Sequence, residues 1–245
     1  MTGYRNRVAI VTGGSRGIGR AAAERLAADG QSVVIVYAGN KAEAEKTVAA
    51  VEATGGSAVA IQADVADETA VRAAFDLAEQ RYGGIDVVVN AAGIMPLSPL
   101  ATLDLDVLDR VIRTNIRGTF VVDREAARRI RGGGAIINFS TSVTRLSIPT
   151  YSAYAASKAA VEAISPILAK ELRGRDVTVN AVAPGPTATA LFFDGKDQET
   201  IDRMAKMNPM ERLGTPEDIA EIVSSLAGPA RWINGQTVFV NGGAA

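Results

Sequence analysis

Two side chains four residues apart open the chemical case: Tyr154 and Lys158, within Tyr154-Ala155-Ala156-Ser157-Lys158. On a helix this spacing puts the phenol and the ammonium on one face. A phenol titrating near pH 10 is a poor acid or base at neutral pH, and a neighbouring cation favours its phenolate. The same spacing also describes an ordinary surface pair, so the motif takes its meaning from its company. Among the 245 residues there is no cysteine and no histidine. That removes disulfides, a thiolate nucleophile, the imidazole of a hydrolase triad and the common zinc ligands, and no metal site is expected. Any general acid or base must come from Tyr, Lys, Asp or Glu.

A second group is Thr12-Gly13-Gly14-Ser15-Arg16-Gly17-Ile18-Gly19, placed after an apolar run and opening a helical pattern. Glycines there let the backbone turn tightly and approach a pyrophosphate, whose charge then faces a helix N-terminus. Three residues separate the first and second key glycines, unlike the common dinucleotide fingerprint. An ordinary strand-to-helix turn is the alternative explanation.

The elements that must position these groups show in the apolar pattern. Val8–Thr12, Ser32–Tyr37, Ala58–Gln62, Asp86–Asn90, Ala135–Phe139, Val177–Val182 and Thr237–Val240 are expected strands. They are apolar on successive residues, as in strands covered on both faces. Ile18–Asp29, Lys41–Thr54, Glu68–Tyr82, Leu105–Arg131, Ala153–Arg173 and Pro216–Leu226 are expected helices. The alternation predicts one α/β domain over residues 1–245, a doubly wound (Rossmann) parallel sheet of seven strands. Gly30, Gly55-Gly56 and Gly83-Gly84 fall where helices should end. Residues 185–214 form the least regular stretch, with a short helix expected near Glu199–Lys206. A segment of that length in a compact domain reads as a substrate lid.

Apolar residues make up 47% of the chain, charged residues 22%, and the formal net charge is −1. That balance suits a globular protein with a sizeable core and offers no electrostatic footprint for nucleic acid or an anionic membrane. The opening MTGYRNRVAIVTGG is too polar for a signal peptide or membrane span, so a cytoplasmic location is expected.

Taken together, the motifs resemble the short-chain dehydrogenase/reductase family along the whole chain. TGGSRGIG stands at residues 12–19, Asp64-Val65 follows the third strand, and Asn90-Ala91-Ala92-Gly93 follows the fourth. Asn115 lies in the fourth long helix, Tyr154 and Lys158 form YxxxK, and Pro184-Gly185 with Thr189 forms PGxxxT. The resemblance implies a nicotinamide cofactor held by Gly13, Gly17 and Gly19, with Ser15 and Ile18 between them. It implies that Asp64 accepts from the adenine amino group beside Val65, and that Asn90, Ala91 and Gly93 border the adenosine ribose. Pro184, Gly185, Thr187 and Thr189 would meet the carboxamide end. Tyr154 would exchange the substrate proton. Lys158 would bind the nicotinamide ribose and lower the Tyr154 pKa, and Asn115 would hold a water leading to solvent.

The family's serine, thirteen residues before the tyrosine, is replaced here by Thr141. Threonine supplies the same hydroxyl. A one-residue shift would present Ser142 to the substrate instead. Phe192, with Ala190, Leu191, Phe193, Met204, Met207 and Met210, would form an apolar lid wall over the substrate or pack within the lid itself.

NAD-preferring sheets carry an acidic residue at the end of the second strand. Tyr37-Ala38-Gly39-Asn40-Lys41 has none, while Arg16, Asn40 and Lys41 suit a 2′-phosphate. The expected function is therefore NADP(H)-dependent hydride transfer with a small carbonyl or alcohol. One alternative is a 3-oxoacyl-[acyl-carrier-protein] reductase, whose acidic carrier would meet Arg128, Arg129 and Arg131. Another is a non-catalytic NADP-sensing regulator. Resemblance also implies a homotetramer.

Overall fold

The computed structural model describes residues 7–245. Seven parallel strands are ordered β3-β2-β1-β4-β5-β6-β7. They are β1 (Val8–Thr12), β2 (Ser32–Tyr37), β3 (Ser57–Gln62), β4 (Val87–Asn90), β5 (Ala135–Phe139), β6 (Thr178–Pro184) and β7 (Thr237–Val240). Strands β1, β4, β5 and β6 are buried along their whole length, because helices cover both faces. Successive side chains go to opposite layers. Ile10, Val34, Val88 and Ile136 pack with Phe75, Val122 and Leu168. Val11, Ile35, Val89 and Ile137 pack with Leu26, Ile219 and Leu226. Each such side chain contributes about 1.5–3 kcal/mol when fully buried.

The longer helices begin and end on local signals. α1 (Gly17–Ala28) opens directly from the glycine loop. Asn40 caps α2 (Lys41–Ala53) by accepting from Glu43 N. Asp67 caps α3 (Glu68–Tyr82), which Gly83 ends at φ +85°. The segment expected as one helix over 105–131 is instead α4 (Leu105–Val111), a π turn (Ile112–Arg117) and α5 (Gly118–Arg129). Both junctions keep right-handed helical dihedrals, so the axis runs on while the π turn holds Asn115. Apolar periodicity does not reveal such an insertion, because the flanking turns stay amphipathic. α6 (Val143–Leu146) follows β5, and α7 (Ser152–Glu171) carries Tyr154 and Lys158. The expected lid contains α8 (Ala190–Phe193) and α9 (Gln198–Ala205). α10 (Pro216–Ala227) starts with a reciprocal cap between Thr215 and Asp218.

After β3 the chain crosses back past β1 to begin β4 on the other side. The connections leaving Thr12 and Asn90 therefore diverge, and a crevice opens beyond the carboxyl ends of β1 and β4. Among the described residues no helix is long and apolar enough to cross a membrane.

Candidate active site

That crevice is a cleft of about 910 Å³, running from the end of β2 past β1, β4 and β5 to the start of the lid. The glycine loop forms one wall. Gly13 adopts φ +66°, and a Cβ there would press on the Ala92 backbone at 3.0 Å. A Cβ on Gly19 would run into the Gly13 carbonyl. Side chains are thus excluded where the backbone lies closest to the cleft, and the first turn of α1 offers its N–H groups there. Ser15, Gly17 and Ile18 line the same wall. Arg16 lines it too, exposed and, among the described residues, without an ion-pair partner.

Beside it, the polar residues after β2 behave differently from expectation. Lys41 does not line the cleft; it is exposed, with Nζ 3.5 Å from Glu45 of its own helix. Asn40 does line it, but its Oδ1 is engaged in capping α2. Glu43 lies at this end and is paired with Lys46 at 2.7 Å. Asp64 and Val65 line the cleft. Both Asp64 oxygens have partners, Ala66 N at 2.9 Å and Arg113 Nη1 at 2.5 Å. Partial burial pushes the Asp64 carboxyl up, but the Ala66 N–H and the Arg113 guanidinium outweigh it and hold the group below its ordinary value.

At the switch point, Thr12 Oγ1 donates to Asn90 Oδ1 at 3.0 Å and accepts from Ala92 N at 3.1 Å. Asn90 is buried beneath the floor, where it ties β1 to β4, and does not line the cleft itself. Ala91 and Gly93 do form the wall. Asn115 also lies behind it. Its Oδ1 accepts from Ile94 N at 2.9 Å, and its Nδ2 donates to Ile94 O at 2.9 Å and Ser157 Oγ at 3.0 Å. Its backbone carbonyl accepts from Thr119 Oγ1 at 2.7 Å. The side chain expected to hold a water is therefore engaged in bracing the segment after β4 against α7.

Thr141, Tyr154 and Lys158 meet at the other end. Lys158 is buried and donates from Nζ to Phe139 O at 2.7 Å, with Nζ 5.9 Å from the Tyr154 ring centroid. Burial pushes the Lys158 ammonium down to about 8. Burial pushes the Tyr154 phenol up to about 12, a hydrogen bond with Thr141 opposes the rise, and Tyr151 adds to it. In the protein alone desolvation dominates both shifts, and the Lys158 ammonium has lost its proton by the pH at which the phenol titrates. Ser142 is held elsewhere, donating to Ala183 O at 3.2 Å and accepting from Asn241 Nδ2 at 3.1 Å. Both candidate hydroxyls line the cleft, and with the Ser142 hydroxyl so engaged, Thr141 is left as the one turned toward neither Ala183 nor Asn241.

Pro184, Gly185, Thr187 and Thr189 line the cleft where the lid begins. Thr187 Oγ1 donates to Gly185 O at 2.9 Å, and Thr189 caps α8 by accepting from Phe192 N at 3.2 Å. From the lid itself Ala190, Leu191, Phe192 and Met204 face the cleft. Phe193, Met207 and Met210 are exposed and do not. Sequence patterns missed most of the remaining apolar wall: Met95, Val143, Leu146, Ile148 and Tyr151. Only Tyr151 left a signal, three residues before Tyr154; their rings lie 6.4 Å apart, edge to face.

Among the described residues no cation lines this apolar end except Lys158. The arginines considered for an acidic carrier are paired within the fold: Arg128 with Glu125, Arg129 with Asp76 and Glu79, and Arg131 with Asp86.

A family model described as enoyl-(acyl carrier protein) reductase matches residues 13–245. A short-chain type dehydrogenase/reductase of Picea abies is 46% identical over 97% of this chain and 92% of its own length. The chain is a short-chain dehydrogenase/reductase. Another member, the chloroplastic NADPH-dependent aldehyde reductase 2 of Arabidopsis thaliana, is 43% identical over 97% of this chain and 93% of its own. Among solved structures, a short-chain dehydrogenase from Burkholderia cenocepacia in complex with NADP superposes with a TM-score of 0.93. It is 40% identical and covers 98% of both chains. The family's members are oxidoreductases, and the doubly wound fold is the one expected of it.

Proposed function

We propose that the protein is an NADP(H)-dependent oxidoreductase interconverting a small, neutral carbonyl compound and its alcohol, with Tyr154 as general acid/base. The observation that carries this is the convergence of Thr141, Tyr154 and Lys158 in the same cleft as the glycine loop. The residues fit the cofactor: glycines leave room for a pyrophosphate, and Arg16, without an ion-pair partner among the described residues, lines the end where a 2′-phosphate would lie. NADP(H), when bound, supplies or accepts the hydride. Relatives named as NADPH-dependent reductases and an NADP complex support the choice.

In reduction, Tyr154 holds the proton delivered to the substrate oxygen, since its phenol stays neutral at pH 7. Thr141 donates a hydrogen bond to that oxygen as charge develops on it. Lys158 stands beside the phenolate left behind and stabilises it. Asn115 acts from behind, keeping Ile94 and α7 in register. Met95, Leu146, Ile148, Tyr151 and Phe192 favour an uncharged, apolar substrate over a carboxylate. The internally paired Arg128, Arg129 and Arg131 speak against docking of an acidic acyl carrier at that surface. A homotetramer belongs to this proposal, supported by exposed Leu105, Ile112 and Phe120 on the α4–α5 unit and by fully exposed Trp232; light scattering checks the mass.

The test is Tyr154→Phe, which removes the proton but keeps the ring. Turnover of NADPH with an aldehyde should fall at least roughly a hundredfold, while NADPH affinity stays nearly unchanged. A Phe variant that retained most of its turnover would overturn the proposal. Tight NADPH binding with no carbonyl reduced across aldehydes, ketones and quinones would favour a sensor.

A further inference from the structure

Glu162 follows Lys158 by one helical turn on α7, as Lys158 follows Tyr154, so the three share a face of the helix. Its carboxylate makes no ion pair among the described residues and is half-buried. Instead, one oxygen, Oε1, accepts from Ser140 Oγ at 2.6 Å and from Thr144 Oγ1 at 2.8 Å. Those two hydroxyls flank Thr141 in the chain. Ser140 Oγ also lies 3.4 Å from the Lys158 carbonyl, and Thr144 Oγ1 2.9 Å from the Thr141 carbonyl, so each has a weaker local alternative. Hydrogen bonds to a carboxylate are roughly twice as strong as neutral ones, which favours Glu162 as the acceptor of both.

Other ties in this loop leave Thr141 as the one hydroxyl free to turn toward Tyr154. Ser140 N donates to Val182 O at 2.7 Å and Ser142 N to Pro184 O at 2.8 Å, fixing the backbone to β6. The Ser142 hydroxyl is taken up by Ala183 O and Asn241. Thr141 Oγ1 meets Val143 N at 3.3 Å, at the first turn of α6. The placement of that turn relative to α7 sets where the Thr141 hydroxyl lies, and Thr144 is the α6 residue that Glu162 holds.

We infer that Glu162 is a positioning residue, clamping the Ser140–Thr144 loop to α7 so that the Thr141 hydroxyl is presented to Tyr154 and to the substrate oxygen. The inference rests on the proposed roles of Thr141 and Tyr154. It requires an acceptor oxygen at this place, not a charge: an amide oxygen can receive the same two hydroxyls.

A double-mutant cycle with a crystal structure tests it, using 4-nitrobenzaldehyde and NADPH as the probe reaction. Glu162→Ala should lower kcat roughly ten- to a hundredfold, the scale of a small misplacement of a reacting group. NADPH affinity should hold, and Glu162→Gln should retain most of the turnover. In a Thr141→Val background, Glu162→Ala should cause no further loss. The Glu162→Ala crystal structure should show the Thr141 hydroxyl out of hydrogen-bond reach of Tyr154. Equal losses in both backgrounds, or an unmoved Thr141 hydroxyl, would mean that Glu162 merely supports the fold. If Glu162→Ala does not fold, the pair Ser140→Ala with Thr144→Val removes the same two hydrogen bonds and should reproduce its kinetics; full activity there overturns the clamp. Thr141→Val retaining full activity would instead sink the proposed function.

Discussion

The two ends of the cleft are built from different material. At the glycine-loop end the surface is largely backbone: Gly13, Gly17 and the first turn of α1 lie where side chains would collide with Ala92, Thr189 or the loop itself. At the Tyr154 end the surface is side chain, drawn from the segment after β4, α6, the start of α7 and the lid. The first end offers N–H groups whose directions follow from the chain path. The second offers shape, which many sequences can supply. A shared cofactor with variable substrates is what such a division allows, because the variable wall can change without disturbing the glycine loop.

The largest effect should come from filling the backbone wall. Gly19→Val places side-chain atoms against the Gly13 carbonyl and should abolish measurable NADPH binding by isothermal titration, with the fold intact by circular dichroism. Retained affinity would mean that this wall does not lie against the cofactor. A change at the other end should spare cofactor binding. Thr141→Val should lower kcat/KM by roughly one to three orders of magnitude, the range for a lost oxyanion donor. Thr141→Ser should retain much of the activity, and Ser142→Ala should lose little, because Ser142 is turned toward Ala183 and Asn241. The reverse pattern would give Ser142 the role.

Cofactor preference gives a smaller effect. The unmodified protein should bind NADPH more tightly than NADH, and Arg16→Ala should shrink that gap roughly ten- to a hundredfold. Lys41→Ala should leave it alone, since Lys41 is directed to Glu45. Equal dissociation constants in the unmodified protein would remove the argument for a 2′-phosphate site.

The smallest effect on activity, yet a large one on stability, lies beneath the Tyr154 end. Asp123 of α5 is buried against Asn138 of β5, whose Nδ2 donates to it at 2.9 Å and to Ser165 Oγ at 3.2 Å. Burial pushes the Asp123 carboxyl up to about 7, with the Asn138 bond opposing. One oxygen of Asp123 and the amide oxygen of Asn138 are buried without donors among the described residues. A neutral Asp123 carboxyl avoids burying an uncompensated charge there. Because the folded value lies above the ordinary 3.8, the contribution of this group is fully present below about pH 4 and is lost as pH rises through about 7. The difference is worth at most about 4 kcal/mol. Asp123→Asn should flatten the dependence of unfolding free energy on pH between 4 and 7 and stabilise the protein at pH 8. Urea unfolding at several pH values measures it; an unchanged slope would show Asp123 ionised throughout.

How much of this was legible in the chain depends on how local each feature is. The glycine loop was legible because each positive φ and each close approach requires a missing Cβ within eight residues. The strands were legible because burial on both faces demands unbroken apolar runs. Tyr154 and Lys158 were legible because helical spacing alone puts them on one face. Hydrogen-bond partners were not, since they are chosen across long sequence separations. Asp64 is tied to Arg113, Asn115 to Ile94 and Ser157, and Ser142 to Asn241. Lys41 turned to Glu45 although its position suited a phosphate. Nor could composition show that burial would raise the Tyr154 phenol, because desolvation is a property of the assembled surroundings. The residue types and their local geometry thus came from the chain itself. Which hydroxyl faces Tyr154, and which carboxylate holds it there, was decided only when β5, α6 and α7 packed together, because a side chain's partner is set by its neighbours in space.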